Sequence, residues 1–405
     1  MQIGIVGAPN KGKSRFFSAL CAMDVAVADY PFTTIEPNRG VALLRVPCAH
    51  VGLGLPKCDA RGGHCHGGMR EVAVQVLDVA GLVPGAHDGR GMGNKFLDDL
   101  RNADGFIQVV DASGRTDLEG NPASDFPLDE EIGFLGDEME AWLEDVVRRN
   151  YPKFRNQGLS EVGEALSGLG YSERAIGEAA GKDGLPLVKI LWSEEQIRKF
   201  ARNLYADGKP RLVAANKADI PGTPERIGKM EKNKGRGGNG GPIPAGSGGA
   251  APMPPIVPCS AAYEYALNKA ALKGLVDYRP GADAFDILGM PDEKQRGALE
   301  QMRRFVRQNG GTGVPQALGA LVFGMLKMMV VYPVEDENRY SDRQGTVLPD
   351  ALLVPEGTTA IGLAAKIHTD LATGFVGALD ARTKMRVGRD HPLKDGDIVK
   401  IVAAR

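Results

Sequence analysis

Eight residues near the N-terminus, Gly7-Ala8-Pro9-Asn10-Lys11-Gly12-Lys13-Ser14, have the spacing G-x-x-x-x-G-K-[ST]. Glycines at those places let the backbone curl so that successive N–H groups, from Asn10 through Lys11 and Gly12 to Ser14, face one point at the positive end of a following helix. Such an arrangement suits a di- or triphosphate. The Lys13 ammonium then reaches the β and γ oxygens, and the Ser14 hydroxyl supplies a hard ligand for Mg²⁺. Downstream, Asp78-Val79-Ala80-Gly81 places a carboxylate where it can hold the same Mg²⁺ through water, and the Gly81 N–H meets the γ-phosphate with no side chain in the way. Asn216-Lys217-Ala218-Asp219 adds a base reader. The Asp219 carboxylate accepts from N1–H and the 2-amino group of guanine, a donor pair that adenine lacks, while Asn216 ties loops together and the Lys217 stem packs on the base. In Cys259-Ser260-Ala261 the Ala261 N–H is placed to meet guanine O6.

These groups need strands and helices to aim them. Ile3 to Val6 reads as a buried strand before the first loop and Arg15 to Leu20 as the helix after it. Arg39–Val46, Glu71–Val79, Gly105–Asp111 and Arg211–Ala215 read as further strands. Between the first helix and the second strand, Asp29 to Asn38 is turn-rich, and either Thr33 or Thr34 can complete the Mg²⁺ shell when a γ-phosphate is present. Leu82 stands where many GTPases carry a water-orienting Gln. Gly85 to Gly93 holds four glycines in nine residues and reads as a mobile switch, in which His87 either helps to position water or is a solvated loop residue. A catalyst without that Gln still needs positive charge near the leaving oxygen. Asn10 has two readings: it holds a K⁺ ion that supplies this charge, or it satisfies loop backbone.

The 405 residues, 43% of them hydrophobic, suffice for two or three domains. A net charge of −2, from 49 basic and 51 acidic residues, gives no bulk electrostatic reason for a nucleic-acid or membrane partner. The N-terminus has no basic stretch ahead of an apolar one, and the apolar tract Ala317 to Tyr332 is interrupted by Lys327, so a cytoplasmic protein without membrane contact is expected. Five scattered cysteines suit reduced thiols. Cys48 to Arg70 looks like an insertion; the run from Cys58 to His66 is spaced unlike a zinc finger and is read as a glycine-rich surface hairpin.

Residues 1–121 and 205–275 are read as two parts of one α/β domain. Residues 122–204 form a helical insertion, in which Ile132, Leu135, Met139, Trp142 and Val146 share a face and Ser193-Glu194-Glu195-Gln196 opens a helix. The Gly/Pro/Ala tract 235–255 cannot bury a core and is expected to be disordered. Residues 276–330 read as a helical connector. Residues 331–405, with short strands around one helix, suggest a small ubiquitin-like (β-grasp) domain. Arg382, Lys384, Arg386 and Arg389 alternate along it.

GAPNKGKS, PFTTIEPN, DVAG, NKAD and CSA stand in the order of translation-factor-like GTPases. The loop PFTTIEPN, the run DVAGLVPGAHDGRGMGNKFLDDLR and the C-terminal PEGTTAIGLAAKIHTDLATGFVGAL resemble the Obg-related YchF family in an archaeal-type form. The resemblance implies a P-loop G domain with a mostly parallel sheet flanked by helices, an inserted coiled-coil-like helical domain and a C-terminal TGS domain. It implies phosphate and Mg²⁺ roles for Lys13, Ser14, Thr34, Asp78 and Gly81, and base roles for Asn216, Lys217, Asp219, Ser260 and Ala261. The expected protein is a monomeric GTPase that turns GTP into GDP and phosphate, a switch that meets the ribosome or structured RNA through its TGS and helical domains. Alternatives are an ATPase of the same fold or a nucleotide-sensing RNA-binding module with incidental hydrolysis. Two departures stand out: Asp219 replaces the Glu of members that prefer ATP, and Lys11 replaces the Val usual in their phosphate loop.

Overall fold

The computed structural model describes residues 1–21, 38–61, 64–79, 81–85, 103–233 and 253–404. Two compact units divide the chain, one built on Met1–Ala22 and Gln75–Ala317, the other on Val41–Val74 and Leu318–Arg405.

The first unit is organised by strands β1 (Gln2–Val6), β2 (Arg39–Pro47), β3 (Cys65–His66), β4 (Met69–Asp78), β5 (Gly105–Asp111), β6 (Arg211–Asn216) and β7 (Ile256–Pro258), in the sheet order β2-β4-β1-β5-β6-β7 with β3 beside β4. Of these, β3 and the larger parts of β2 and β4 belong to the second unit. Pairing of β1 with β4 and β5, of β5 with β6 and of β6 with β7 is parallel. Every residue of β1 and of β5 is buried, as expected for parallel strands covered on both faces. Parallel strands all end at one edge, so the loop after β1 and the ends of β4, β5, β6 and β7 converge there.

Between β5 and β6 lie the helices Leu128–Phe154, Leu159–Leu166, Glu173–Gly181 and Glu194–Gly208. The face predicted from Ile132, Leu135, Met139, Trp142 and Val146 is buried. Ser193 and Gln196 form the reciprocal capping box, with N–H donation in both directions at 3.3 and 2.9 Å. The last helix runs on to Gly208 because Leu204 and Tyr205 are still core positions. Trp192 packs between Phe154 and Phe200, with ring centroids 5.9 and 4.7 Å away.

After β7 come the helix Ala261–Leu272, the hairpin β8 (Val276–Asp277) and β9 (Asp286–Ile287), and helices Glu293–Asn309 and Val314–Gly319. The second unit then carries β10 (Met328–Val334), β11 (Leu352–Pro355), β12 (Phe375–Asp380), β13 (Arg386–Val387) and β14 (Ile398–Ala403) in the order β11-β10-β14-β12-β13. β10 and β14 are parallel and the other pairs antiparallel. The helix Ala360–Ile367 buries Ala360 and Leu363 against Met329, Val331, Val354 and Val399. This five-stranded mixed sheet carries that helix and, directly after it, a second short helix, Thr369–Thr373.

The first strand of this sheet starts ahead of position 331, where the short-strand pattern was expected to begin. β10 begins at Met328 and lies between two other strands, with Val331 opposite Leu352 and Tyr332 opposite Ile398. The switch occurs at Lys327, whose φ of 50° ends the helical stretch before the strand starts. Among the described residues no helix is long and apolar enough to cross a membrane.

Both tryptophans of the chain, Trp142 and Trp192, lie in the helical insertion, so tryptophan emission reports that part alone. Phe200→Ala should destabilise it by about 3–5 kcal/mol. In urea titrations the emission midpoint should fall while the far-UV signal of the remaining chain keeps a later transition; coincident curves at the wild-type midpoint would contradict this packing.

Candidate nucleotide site

The phosphate loop depends on two backbone approaches that no side chain would permit. Gly7 has φ 142°, and a Cβ there would lie 2.4 Å from Val109 O; Gly12 has φ 94°, and a Cβ there would lie 2.4 Å from Asn216 Nδ2. Lys13 begins the helix Lys13–Leu20 and donates to Ala8 O at 2.8 Å. Burial lowers the Lys13 pKa and nearby Lys11 adds to this, while Asp78 acts in the opposite sense. Burial raises Asp78, against a hydrogen bond from Ser14 and the charge of Lys13. Ser14 and Asp78 therefore form a pair of oxygen donors at the start of a helix and the end of β4, the donor type that Mg²⁺ takes. Gly81 is close by, since a Cβ on it would stand 3.1 Å from Lys13 Nζ. Thr33, Thr34, Ala80 and His87 lie outside the described residues, as does the Gly-rich tract up to residue 252.

Lys11 does something the sequence reading did not anticipate. Its side chain is fully buried, its ammonium 3.0 Å from Glu131 Oε2 and donating to Thr116 O and Oγ1 at 3.0 and 3.1 Å. A phosphate role is thereby left to its backbone. Burial raises Glu131 against the pull of Lys11, and its other oxygen accepts the Asp111 N–H at 2.9 Å. Asp111 in turn accepts from Lys217 Nζ at 2.8 Å and from Thr116 Oγ1 at 2.7 Å. Burial opposes ionisation of Asp111, yet these bonds and those from Ser113 outweigh it and hold the carboxyl below its ordinary value. Asn10 donates to Gly120 O at 2.9 Å with φ 59°, a use of its amide in fastening the loop.

At the base end, Asn216 ties the loops together as expected. Nδ2 donates to Lys11 O at 3.0 Å and Oδ1 accepts the Ala261 N–H at 3.0 Å. Through that second bond the Ala261 N–H, expected to meet guanine O6, is engaged by Asn216. Ser260 is buried, and its hydroxyl accepts from Tyr263 N–H at 3.1 Å, which makes it the N-cap of the helix Ala261–Leu272. Asp219 lines a cleft of about 630 Å³ together with Tyr263, Arg304 and Phe305. Leu82 is 3% exposed and packs with Val6, Leu77 and Val79, so the position of the missing Gln belongs to the core.

Residues 2–140 match the 50S ribosome-binding GTPase family, 249–336 the Obg-like GTPase YGR210-like G4 motif-containing domain, and 344–403 the TGS domain. A GTP-binding protein of Methanocaldococcus jannaschii is 43% identical over 411 residues, covering 99% of either chain. The chain belongs to the YchF/Obg-like GTPase family. The crystal structure of a GTP-binding protein from Pyrococcus horikoshii OT3 is 33% identical and superposes with a TM-score of 0.75 over the whole of both chains. The ribosome-binding ATPase YchF of Haemophilus influenzae is 37% identical over 213 residues, covering 53% of this chain and 56% of its own.

Within this family fold, the cysteine segment departs from the hairpin reading. Cys65 does sit on a hairpin, with Gly67 and Gly68 in its turn, but Cys48, His50, Cys58 and Cys65 bring one donor atom each to a common point. The signal missed in the sequence was Cys48-Ala49-His50, ten residues before Cys58.

Removing one partner of a buried ion pair strands the other, at about 3–5 kcal/mol. Glu131→Gln should therefore lower stability by that order and weaken nucleotide binding, whereas Lys11→Met combined with Glu131→Leu should recover much of the stability. Calorimetric unfolding of the two variants checks this; a Glu131→Gln variant as stable as the wild type would refute the pairing.

Proposed function

We propose that this GTP-binding protein hydrolyses GTP to GDP and phosphate with Mg²⁺. The observation that carries the reading is the Asn216 amide joining the phosphate loop to the Cys259-Ser260-Ala261 loop. It ties the strand end that leads to Asp219 to the loop that carries Lys13. Lys13 and the backbone N–H groups of residues 10–14 would hold the β and γ oxygens, and Ser14 and Asp78 would hold Mg²⁺, whose charge offsets the negative charge developing on the leaving oxygen. Gly81 would offer its N–H to the γ-phosphate, and Thr34 would complete the metal shell. Asp219 would accept from guanine N1–H and the 2-amino group, and Lys217, its ammonium fixed by Asp111, would lay its stem along the base. With Leu82 in the core, water must be oriented by groups other than a side chain there.

A second reading, ATP hydrolysis, has specific support in the engaged Ala261 N–H, which leaves guanine O6 with less to meet, and in the name of the Haemophilus relative. Isothermal calorimetry separates the two. We expect GTP to bind far more tightly than ATP, and Asp219→Asn to weaken GTP roughly 10–100-fold, the value of a lost hydrogen bond to a charged group, while favouring xanthine nucleotides. Equal affinities for GTP and ATP would overturn the base assignment. Lys13→Ala should nearly abolish binding and turnover.

Asn10 remains the proposed source of a K⁺ site, since Nδ2 is turned to Gly120 and Oδ1 is the atom that would ligate a cation. Supplied positive charge is worth about 10³–10⁵ in rate in related chemistry. Turnover well above the Na⁺ rate in K⁺ at equal ionic strength, lost in Asn10→Ala, is the expected outcome. Equal rates in the two salts would reduce Asn10 to a loop fastener.

The relatives' ribosome-binding names and the TGS domain support a cytoplasmic switch acting on ribosomes or structured RNA in translation. Because β10 is integral to the TGS sheet, the test removes residues 318–405 rather than a shorter piece. That truncation should lose salt-sensitive ribosome co-sedimentation; unchanged co-sedimentation would move the contact elsewhere.

A further inference from the structure

We propose that Cys48, His50, Cys58 and Cys65 form a closed structural zinc site in the second unit. One donor atom from each residue lies within 4.8 Å of every other. Cys48 Sγ and Cys58 Sγ are 3.8 Å apart, and Cys65 Sγ is 3.7 Å from His50 Nδ1. A tetrahedral Zn²⁺ with Zn–S of ~2.3 Å and Zn–N of ~2.0–2.1 Å separates its ligands by about 3.8 Å for two sulfurs and about 3.6 Å for sulfur and nitrogen. The observed separations match that shell, and 3.8 Å is far beyond the ~2.05 Å of a disulfide. Three sulfurs and one imidazole are the soft donor set of Zn²⁺; Mg²⁺ and Ca²⁺ take oxygen. All four positions are protein-supplied, which fits a structural rather than a catalytic metal.

Local structure explains how the four meet. Cys48 follows β2 as the N-cap of the short helix Ala49–Gly52, which places His50 two residues on, in the first turn. Its N–H is held by Gly68 O at 2.8 Å, so the turn of the β3–β4 hairpin is fastened to Cys48 while the hairpin carries Cys65. Cys58 comes from the intervening loop, which is anchored where the Asp59 N–H donates to Val347 O and the Arg61 N–H to Pro349 O, at 2.8 and 3.1 Å.

Charge balance gives a further reason. Three thiolates around Zn²⁺ leave a net charge of −1, which is costly to bury unless paired. Arg70, 2% exposed, directs Nη1 to Cys58 Sγ at 3.6 Å while Nη2 donates to Leu348 O and Pro349 O at 2.7 and 2.8 Å. One buried cation thus balances the site and ties it to the segment before β11. Cys48 and Ala49 share a core with Tyr332, Leu348 and Ile398, against which Cys58 and Cys65 also pack. The zinc would clip the 48–70 insertion onto the TGS sheet.

The test uses the full chain, made in zinc-supplemented medium and purified under reducing conditions. Mass spectrometry should find one zinc per chain, and replacement by Co²⁺ should give a thiolate charge-transfer band with the intense visible bands of tetrahedral cobalt. Cys58→Ser and Cys48→Ser should weaken zinc binding by more than the ~10–100-fold typical of an outer partner, while Cys21→Ser, outside the cluster, retains it. Five thiols should react once the chain is denatured with chelator present. The wild-type cobalt spectrum decides the matter if the serine variants fail to fold. Absence of both zinc and cobalt bands, undiminished zinc in Cys58→Ser, or only three reactive thiols, which would mean a disulfide, would each overturn the site.

Discussion

A buried positive charge on the phosphate loop constrains the first unit. Lys11 has no access to water, and an ammonium in that position is tolerable only with a partner and further hydrogen bonds around it. Glu131, in the first turn of the long insertion helix, supplies the charge, and Thr116 supplies the oxygens. Because Glu131 also takes the Asp111 N–H, and Asp111 takes Lys217, one chain of contacts runs from the phosphate loop through the end of β5 to the base-reading strand end. The helical insertion is therefore wired to the loop it adjoins in space. In a region of low dielectric, displacement of any one partner exposes the others to the full desolvation penalty.

Asn216 closes the same circuit from the other side. Its amide spends both ends on backbone, Lys11 O and the Ala261 N–H, and so sets three loops in register at the edge where parallel strands end. One buried side chain thus joins the phosphate-loop segment to the two loops at the ends of β6 and β7. Leu82 shows the opposite choice: where many GTPases carry a Gln, this chain completes a hydrophobic core.

The second unit solves a different problem. A five-stranded sheet with two short helices buries little apolar surface, and small cores of this kind commonly rely on an added constraint. The segment 48–70 supplies extra apolar cover through Cys48, Ala49 and Leu53 and brings in the buried Arg70 guanidinium, which lies 5.9 Å from the Tyr332 ring centre.

Sequence alone determined the elements whose signal is local. Fixed-spacing motifs identified the phosphate loop, Asp78 and the Asn216-Lys217-Ala218-Asp219 strand end, and helical periodicity marked the buried face from Ile132 to Val146, because a repeat of 3.6 residues is written directly in the chain. Partnerships were decided by the tertiary structure. Lys11 and Glu131 are separated by 120 positions, and nothing local distinguishes a buried lysine from a solvated one in a loop already rich in phosphate-binding residues. Whether the Ala261 N–H points at a base or at Asn216 depends on how close two strand ends come, and the start of β10 at Met328 depends on its having neighbours on both sides. The cysteine segment is the clearest case: Cys48-Ala49-His50 and the pair Cys58 and Cys65 are unremarkable as spacings. They become a four-donor cluster only because β2, a loop pinned to 347–349 and a tight Gly-Gly hairpin fold onto the same point.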